Sequence, residues 1–262
     1  MSPFERGSAV RALGEGRFAI DLPDGWQQGR GAFGGLVLGV LARAVEACER
    51  DPARRTRTLT GDIVGPVQPG PAEILVTTLR NGHNQTNFRA DLVQGGEVLA
   101  HASVISSKPR PSDVATRPVP PARPRWEDAP VIAPMEGGPR FARFYEFRNV
   151  GPVPFTAGQE ALAGGFVREN ERPTKIDVPG VIGLLDAWWP AMFTLSDRPR
   201  AGATVCFTAE ILCDPATLDP DTRFFVTCRA VADHEGFFVE LRELWAGDRL
   251  VGLNQQTFAL LR

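Results

Sequence analysis

The sequence predicts an α+β fold in which an antiparallel sheet curls around one long central helix, and it predicts that fold twice in tandem. Three observations carry the prediction. The order of elements repeats, each half reading as a strand, then a long helix, then four strand-like runs. Both helices are apolar nearly all round, so each is expected to be wrapped by sheet. Between the halves, residues 108–140 hold nine of the 23 prolines, a composition that excludes a helix or a central strand and marks an extended linker. Residues 1–107 therefore form an N-terminal unit and residues 141–262 a C-terminal one.

The elements follow in order. In the first half, "GRFAIDL" is a short strand and the apolar stretch of residues 34–50 is the helix. The runs "RTLTGDIV", "AEILVTTLR", "TNFRADLVQ" and "EVLAHASVIS" alternate as strands do, and Gly95-Gly96 is a tight hairpin signal between the last two. In the second half, "FARFYEF" and "LAGGFVREN" supply strands, and "PGVIGLLDAWWPAMFTL" is the helix. "GATVCFTAEIL", "RFFVTCRAVAD", "FFVELRELW" and "RLVGLNQQTFALL" complete the sheet, with hairpins at His234-Glu235-Gly236 and Gly247-Asp248.

Composition narrows the function. A net charge of -2 leaves no basic footprint for nucleic acid. No apolar run is expected to reach the roughly 18 residues of a membrane span, and "MSPFERGSAV" lacks the apolar centre of a signal peptide. Cys48, Cys206, Cys213 and Cys228 are scattered without metal-ligand spacing and read as small buried hydrophobes of a reducing, cytoplasmic protein. No HExxH, CxxC pair, P-loop or dinucleotide glycine pattern occurs, so no metal or cofactor is implied. A Gly-x-Ser-x-Gly nucleophile elbow is absent as well. His83, with Arg80 beside it in "RNGHNQT", reads most simply as a solvated turn, and neither His101 nor His234 takes a role.

"GRGAFGGLVLGV" poses a physical question, because Gly34-Gly35 starts a helix with the poorest ordinary helix former. Two residues without side chains let another group approach the unpaired N–H donors at the positive end of the helix. Either the pair is a flexible turn before a buried helix or it binds an acceptor oxygen.

Together with "AFGGLVLG", the segments "PVQPGPAEILVTTLRNG" and "LLDAWWPA" make the chain resemble the acyl-CoA thioesterase II family over nearly its whole length, the linker excepted. The resemblance implies a double hotdog fold and hydrolysis of acyl-CoA thioesters by a water that an Asp, a Thr or Ser, and a Gln hold and activate. Position by position these fall on Asp186, Thr204 and Gln256. It further implies that the Gly35 N–H is free to stabilise the oxyanion formed by attack on the thioester, across the interface of the two units. The first helix carries Val40 and Leu41 where the second carries Asp186, so one active site per chain is expected. A larger residue at Gly35 is expected to crowd the oxyanion and leave the fold standing.

The residues themselves agree unevenly. Asp186 sits mid-helix among Leu184, Leu185, Trp188 and Trp189 with no charge partner in sequence, where burial raises a carboxyl pKa and suits it to take a proton from water. Gln255 and Gln256 point to opposite faces of a strand, and alternation cannot choose between them; the resemblance favours Gln256, with Asn254 on the same face. Val205, Phe207, Ala209 and Ile211 form one face of their strand, which puts Thr204 on the other with Cys206 and Thr208, so either threonine remains open as the hydroxyl. Phe33, Trp188, Trp189 and Met192 either shape an acyl pocket or belong to the core. Two other readings stand beside hydrolysis. One is a non-catalytic acyl-CoA-binding protein; the other is an enoyl-CoA hydratase or dehydratase, which needs a histidine that neither helix contains. Acyl chain length is not legible, and association of exposed sheet faces makes a homo-oligomer the expectation.

Overall fold

A computed structural model of the 262-residue chain describes every residue except Pro134, Glu136 and Arg262. The first half runs through helix α1 (Pro3–Gly7), strands β1 (Arg11–Gly14) and β2 (Arg17–Leu22), a small ribbon of β3 (Gln27–Gln28) and β4 (Gly31–Ala32), and helix α2 (Gly34–Cys48). Strands β5 (Arg55–Ile63), β6 (Gly70–Asn81), β7 (Gln85–Gln94) and β8 (Glu97–Ser107) follow. The second half contains β9 (Val131–Ile132), β10 (Tyr145–Asn149), β11 (Leu162–Glu169), helix α3 (Val178–Asp186), β12 (Ala201–Ile211), β13 (Phe224–His234), β14 (Phe237–Ala246) and β15 (Arg249–Leu261).

Thirteen of these strands form one antiparallel sheet in the order β1-β2-β6-β7-β8-β5-β12-β15-β14-β13-β11-β10-β9. The order reads alike from both ends: β2, β6, β7, β8 and β5 run inward from one edge, and β11, β13, β14, β15 and β12 from the other. The halves join where β5 pairs with β12, Thr60 lying opposite Thr208. The duplication seen in the sequence is thus a pseudo-twofold in space, and the two helices meet at its centre.

One continuous apolar core unites the halves, reaching from Leu59 and Val104 in the first to Phe207 and Leu244 in the second. Helices α2 and α3 pack directly on each other within it. Glycine allows the approach: a Cβ at Gly39 would sit 2.8 Å from the Phe4 ring and 3.2 Å from the Pro179 carbonyl oxygen. Phe4, on α1, fills the crevice and is 1% exposed.

Three local expectations are corrected. The second helix does not run on through residues 179–195; it stops at Asp186, and Ala191–Leu195 form a separate 3₁₀ turn. Pro190 explains the stop, since it has no N–H for the Asp186 carbonyl four residues earlier and its ring would collide with that oxygen. Residues Val178–Leu195 do meet the length and hydropathy of a membrane span, but 72% of that stretch is buried in the protein and it is not one helix. Finally, "FARFYEF" begins as a 3₁₀ turn (Arg140–Phe144), and only Tyr145 onward is strand.

Within the proline-rich stretch, Trp126 is buried against Phe166, Phe225 and Trp245 in a second, smaller apolar cluster. Beyond it β9 pairs with β10 at the outer edge of the sheet, where prolines are tolerated.

Candidate active site

The residues singled out in the sequence converge where the end of α3, the start of α2 and the inner face of β12 and β15 meet. Asp186 is the last residue of α3 and is 7% exposed. Its Oδ1 accepts a hydrogen bond of 2.9 Å from Gln256 Nε2. The Gln256 Oε1 in turn accepts from the Thr204 hydroxyl at 3.2 Å. Gln256 is fully buried, which makes it the inward member of the Gln255-Gln256 pair.

Thr204 reaches this chain because β12 is irregular, and strict alternation is corrected here. The β12–β15 register shifts between Thr204 and Cys206, so that Thr204 lies opposite Phe258 while Cys206 lies opposite Thr257. Val205 is the extra residue of a bulge and is 37% exposed rather than inward. Such a bulge turns every earlier side chain of its strand to the opposite face. Thr204 therefore shares the inner face with Phe207, which is paired with Gln256. Thr208 keeps its outward position and meets Thr60 at 3.3 Å across the junction of the halves. Asn254 is inward but spends its amide on the Thr208 carbonyl at 2.8 Å and makes no bond to Asp186.

From the first half, the N-terminus of α2 faces the carboxylate. A Cβ at Gly34 would lie 2.9 Å from Asp186 Oδ2, and one at Gly35 would lie 3.0 Å from Asp186 Cβ and 2.5 Å from the Phe33 ring. The Gly35 N–H lies close enough to the Asp186 carboxylate to favour its ionised form. One expectation changes: a large side chain at Gly35 strikes a fully buried ring, so it would disturb packing and not only the site. The glycines are needed for close approach: the positive end of one helix lies on the carboxylate that ends the other.

Burial raises the Asp186 carboxyl to about 6, against the opposing influence of the Arg242 guanidinium, the Gln256 amide and the Gly35 N–H, while Glu240 pushes in the same direction as burial. Arg242 and Glu240, both on β14, are functional candidates that sequence reasoning missed, and they are charged neighbours of Asp186 in space. Their burial is nearly complete, at 1% and 0% exposure, and they form an ion pair of 2.7 Å. The signal was present in "FFVELRELW": Glu240 and Arg242 share the parity of Phe238 and Leu244, all four of which are buried.

Phe33 and Trp188 are buried in the core, while Trp189 and Met192 are half-buried. Phe33 stacks on Phe141 with ring centroids 3.8 Å apart, and Trp188 packs edge-on against Phe147. The indole N–H groups of Trp188 and Trp189 are buried without partners. A groove of about 780 Å³ lies on the outer side of the sheet, lined by Thr208, Leu241, Leu253 and Gln255, and does not include Asp186.

A sheet shared by two halves, paired helices on one face and a Thr–Gln–Asp chain running from half-buried Thr204 to buried Asp186 at the helix junction define a double hotdog protein. The chain belongs to the acyl-CoA thioesterase family: the profile of the acyl-CoA thioesterase N-terminal domain matches residues 22–107, and that of the C-terminal domain matches residues 111–260. No protein of curated function matches the sequence. Among solved structures, a conserved protein of unknown function with a hot dog fold from Alicyclobacillus acidocaldarius superposes with a TM-score of 0.91 at 23% identity, covering 100% of this chain and 99% of that one. A protein provisionally described as a thioesterase II from Thermobifida fusca gives 0.84 at 21% identity, over 100% and 98%. Acyl-CoA thioesterase II TesB2 from Mycobacterium marinum gives 0.81 at 16% identity, over 98% of each chain. At these identities the superpositions speak for the fold.

Proposed function

We propose that the protein hydrolyses acyl-CoA thioesters to free CoA and a carboxylic acid, with Asp186 as general base. The observation that carries this reading is the unbroken chain from the Thr204 hydroxyl through Gln256 to a buried Asp186 whose carboxyl is raised to about 6. A base near that value is largely ionised at neutral pH and still basic enough to take a proton from water. Thr204 and Gln256 hold the water, which loses its proton to Asp186 as its oxygen bonds to the thioester carbon. Negative charge moves to the carbonyl oxygen. Collapse of this tetrahedral species breaks the carbon–sulfur bond, and the departing CoA sulfur takes the proton back from Asp186.

The Gly35 N–H, at the start of α2 beside Asp186, is the donor that would stabilise this oxyanion. A donor of this kind is worth about 3–4 kcal/mol to the transition state. The family membership supports the acyl-CoA class of substrate, and the absence of a carboxylate from the buried part of α2 supports one site per chain. A cytoplasmic location and self-association through sheet faces belong to the same reading.

The test is thiol release from acyl-CoA of graded chain length, with Asp186→Asn as control. Release by the wild type and its loss in the variant are expected. Binding of acyl-CoA without release at any chain length would replace hydrolysis by a binding role.

A further inference from the structure

We infer that the buried Glu240–Arg242 pair is a positioning device that clamps the segment carrying Asp186 and sets the pH range over which Asp186 is ionised. The inference rests on the hydrolytic reading above. Helix α3 ends at Asp186 with carbonyls that have no partner in the helix. One of them, on Leu185, accepts a hydrogen bond of 2.9 Å from Arg242 Nη1. On the far side of Pro190, the Ala191 N–H donates to Glu240 Oε2 at 2.6 Å. Arg242 Nε closes the circuit by donating to Glu240 Oε1 at 2.7 Å. The stretch from Asp186 to Pro190 is therefore held at both ends by two side chains that are themselves joined.

The same pair lies against the rest of the site. Glu240 is directly opposite Gln256 in the β14–β15 register, and Arg242 is opposite Asn254. Gln256 is the residue that donates to Asp186. A buried ion pair is poor value as a stabilising element, since apolar side chains of similar volume often serve a core as well or better. The bonds it makes are to the backbone on either side of Asp186, and those bonds are what apolar side chains would not replace.

The charges around Asp186 are few. Strand β14 presents Arg242, which attracts the carboxylate, and Glu240, which repels it. Strand β13 presents Cys228 and β10 presents Tyr145, and burial pushes both up and keeps them neutral. Strand β15 contributes the uncharged Gln256 and β12 the uncharged Thr204. The buried start of α2 has no titratable side chain before Arg43, which pairs with Asp177. Arg242 and Glu240 are thus the charged neighbours, and they act with opposite signs.

Opposite signs make a sharp test. The acid limb of kcat/KM against pH is measured for the wild type, Glu240→Gln, Arg242→Gln and Arg242→Lys, alongside the Asp186 carboxyl titration by carbon NMR of aspartate-labelled protein. Arg242→Gln is expected to move the limb up by about one pH unit, and Glu240→Gln to move it down. Arg242→Lys keeps the charge and the limb but loses the fork that reaches Leu185, so the plateau kcat falls. If Arg242→Gln alone does not fold, the double variant Glu240→Gln with Arg242→Gln leaves no charge unpaired; its limb is expected above that of the wild type. A pair with a structural role only would lower the melting temperature and leave both limbs in place, or move them in the same direction, and either result overturns the inference. If the wild type releases no thiol, the hydrolytic reading fails, and the carboxyl titration still decides the coupling.

Discussion

Replacing Asp186 by Asn separates a carboxylate kept for chemistry from one kept for structure. The carboxyl is raised from 3.8 to about 6, so the ionised folded protein at neutral pH bears a penalty of about 3 kcal/mol relative to one without the shift. Asn removes that penalty at nearly constant volume. It also turns one acceptor oxygen into a donor, so either the Gln256 amide loses its partner or the nearby Gly35 N–H loses a favourable carboxylate, at about 1–3 kcal/mol. The net change ranges from zero to a gain of about 2 kcal/mol, which for a chain of this size is a melting temperature level with the wild type or a few degrees above it. The dependence on pH has a definite sign. Between about 3.8 and about 6 the folded protein binds more protons than the unfolded chain, so wild-type stability falls as pH rises through that window. The advantage of Asp186→Asn is therefore greatest at pH 7 and disappears below about 4. Catalytically the variant loses ~10²–10⁴ in kcat, the usual worth of a general base. Calorimetry at several pH values and thiol release on the same preparations test both halves. A clear fall in melting temperature at neutral pH with activity retained refutes the reasoning, as does a stability difference that ignores pH.

Three other outcomes are expected. In the wild type, kcat/KM rises through about pH 6 and is flat above it, since Asp186 acts as the ionised base; a profile still flat at pH 5 would assign the base elsewhere. Gly34→Ala places a methyl group 2.9 Å from Asp186 Oδ2, so kcat drops by at least roughly tenfold with little loss of stability; a normal kcat would show that the carboxylate has room to move. Thr204→Val lowers kcat by ~10–10² while Thr208→Val leaves it unchanged, because the hydroxyl of Thr204 meets Gln256 and that of Thr208 meets Thr60; equal effects would refute the bulge as the device that selects between them.

The sequence by itself determined the architecture, because the signals that specify it are local. Two all-round apolar helices can only be buried, alternating runs can only be half-buried strands, and their repeated order required a second copy of one unit. The end of α3 at Asp186 was missed, although Pro190 four residues beyond it is the local cause. The types and positions of Asp186, Thr204 and Gln256 came from likeness to a family rather than from alternation. Whether they meet was settled by tertiary structure. The Val205 bulge that turns Thr204 inward exists only in the pairing of β12 with β15, since a two-residue period carries no mark of where a strand will slip. Arg242 lies 56 positions from Asp186 in the chain, and only the sheet closing over α3 puts its charge beside that carboxylate. The Gly35 N–H reaches Asp186 from the other half of the molecule, and the pseudo-twofold packing of the two helices brings them together. Burial, bonding and pKa depend on which groups are neighbours in space, and for this site those neighbours come from α2, α3, β12, β14 and β15 across both halves of the chain.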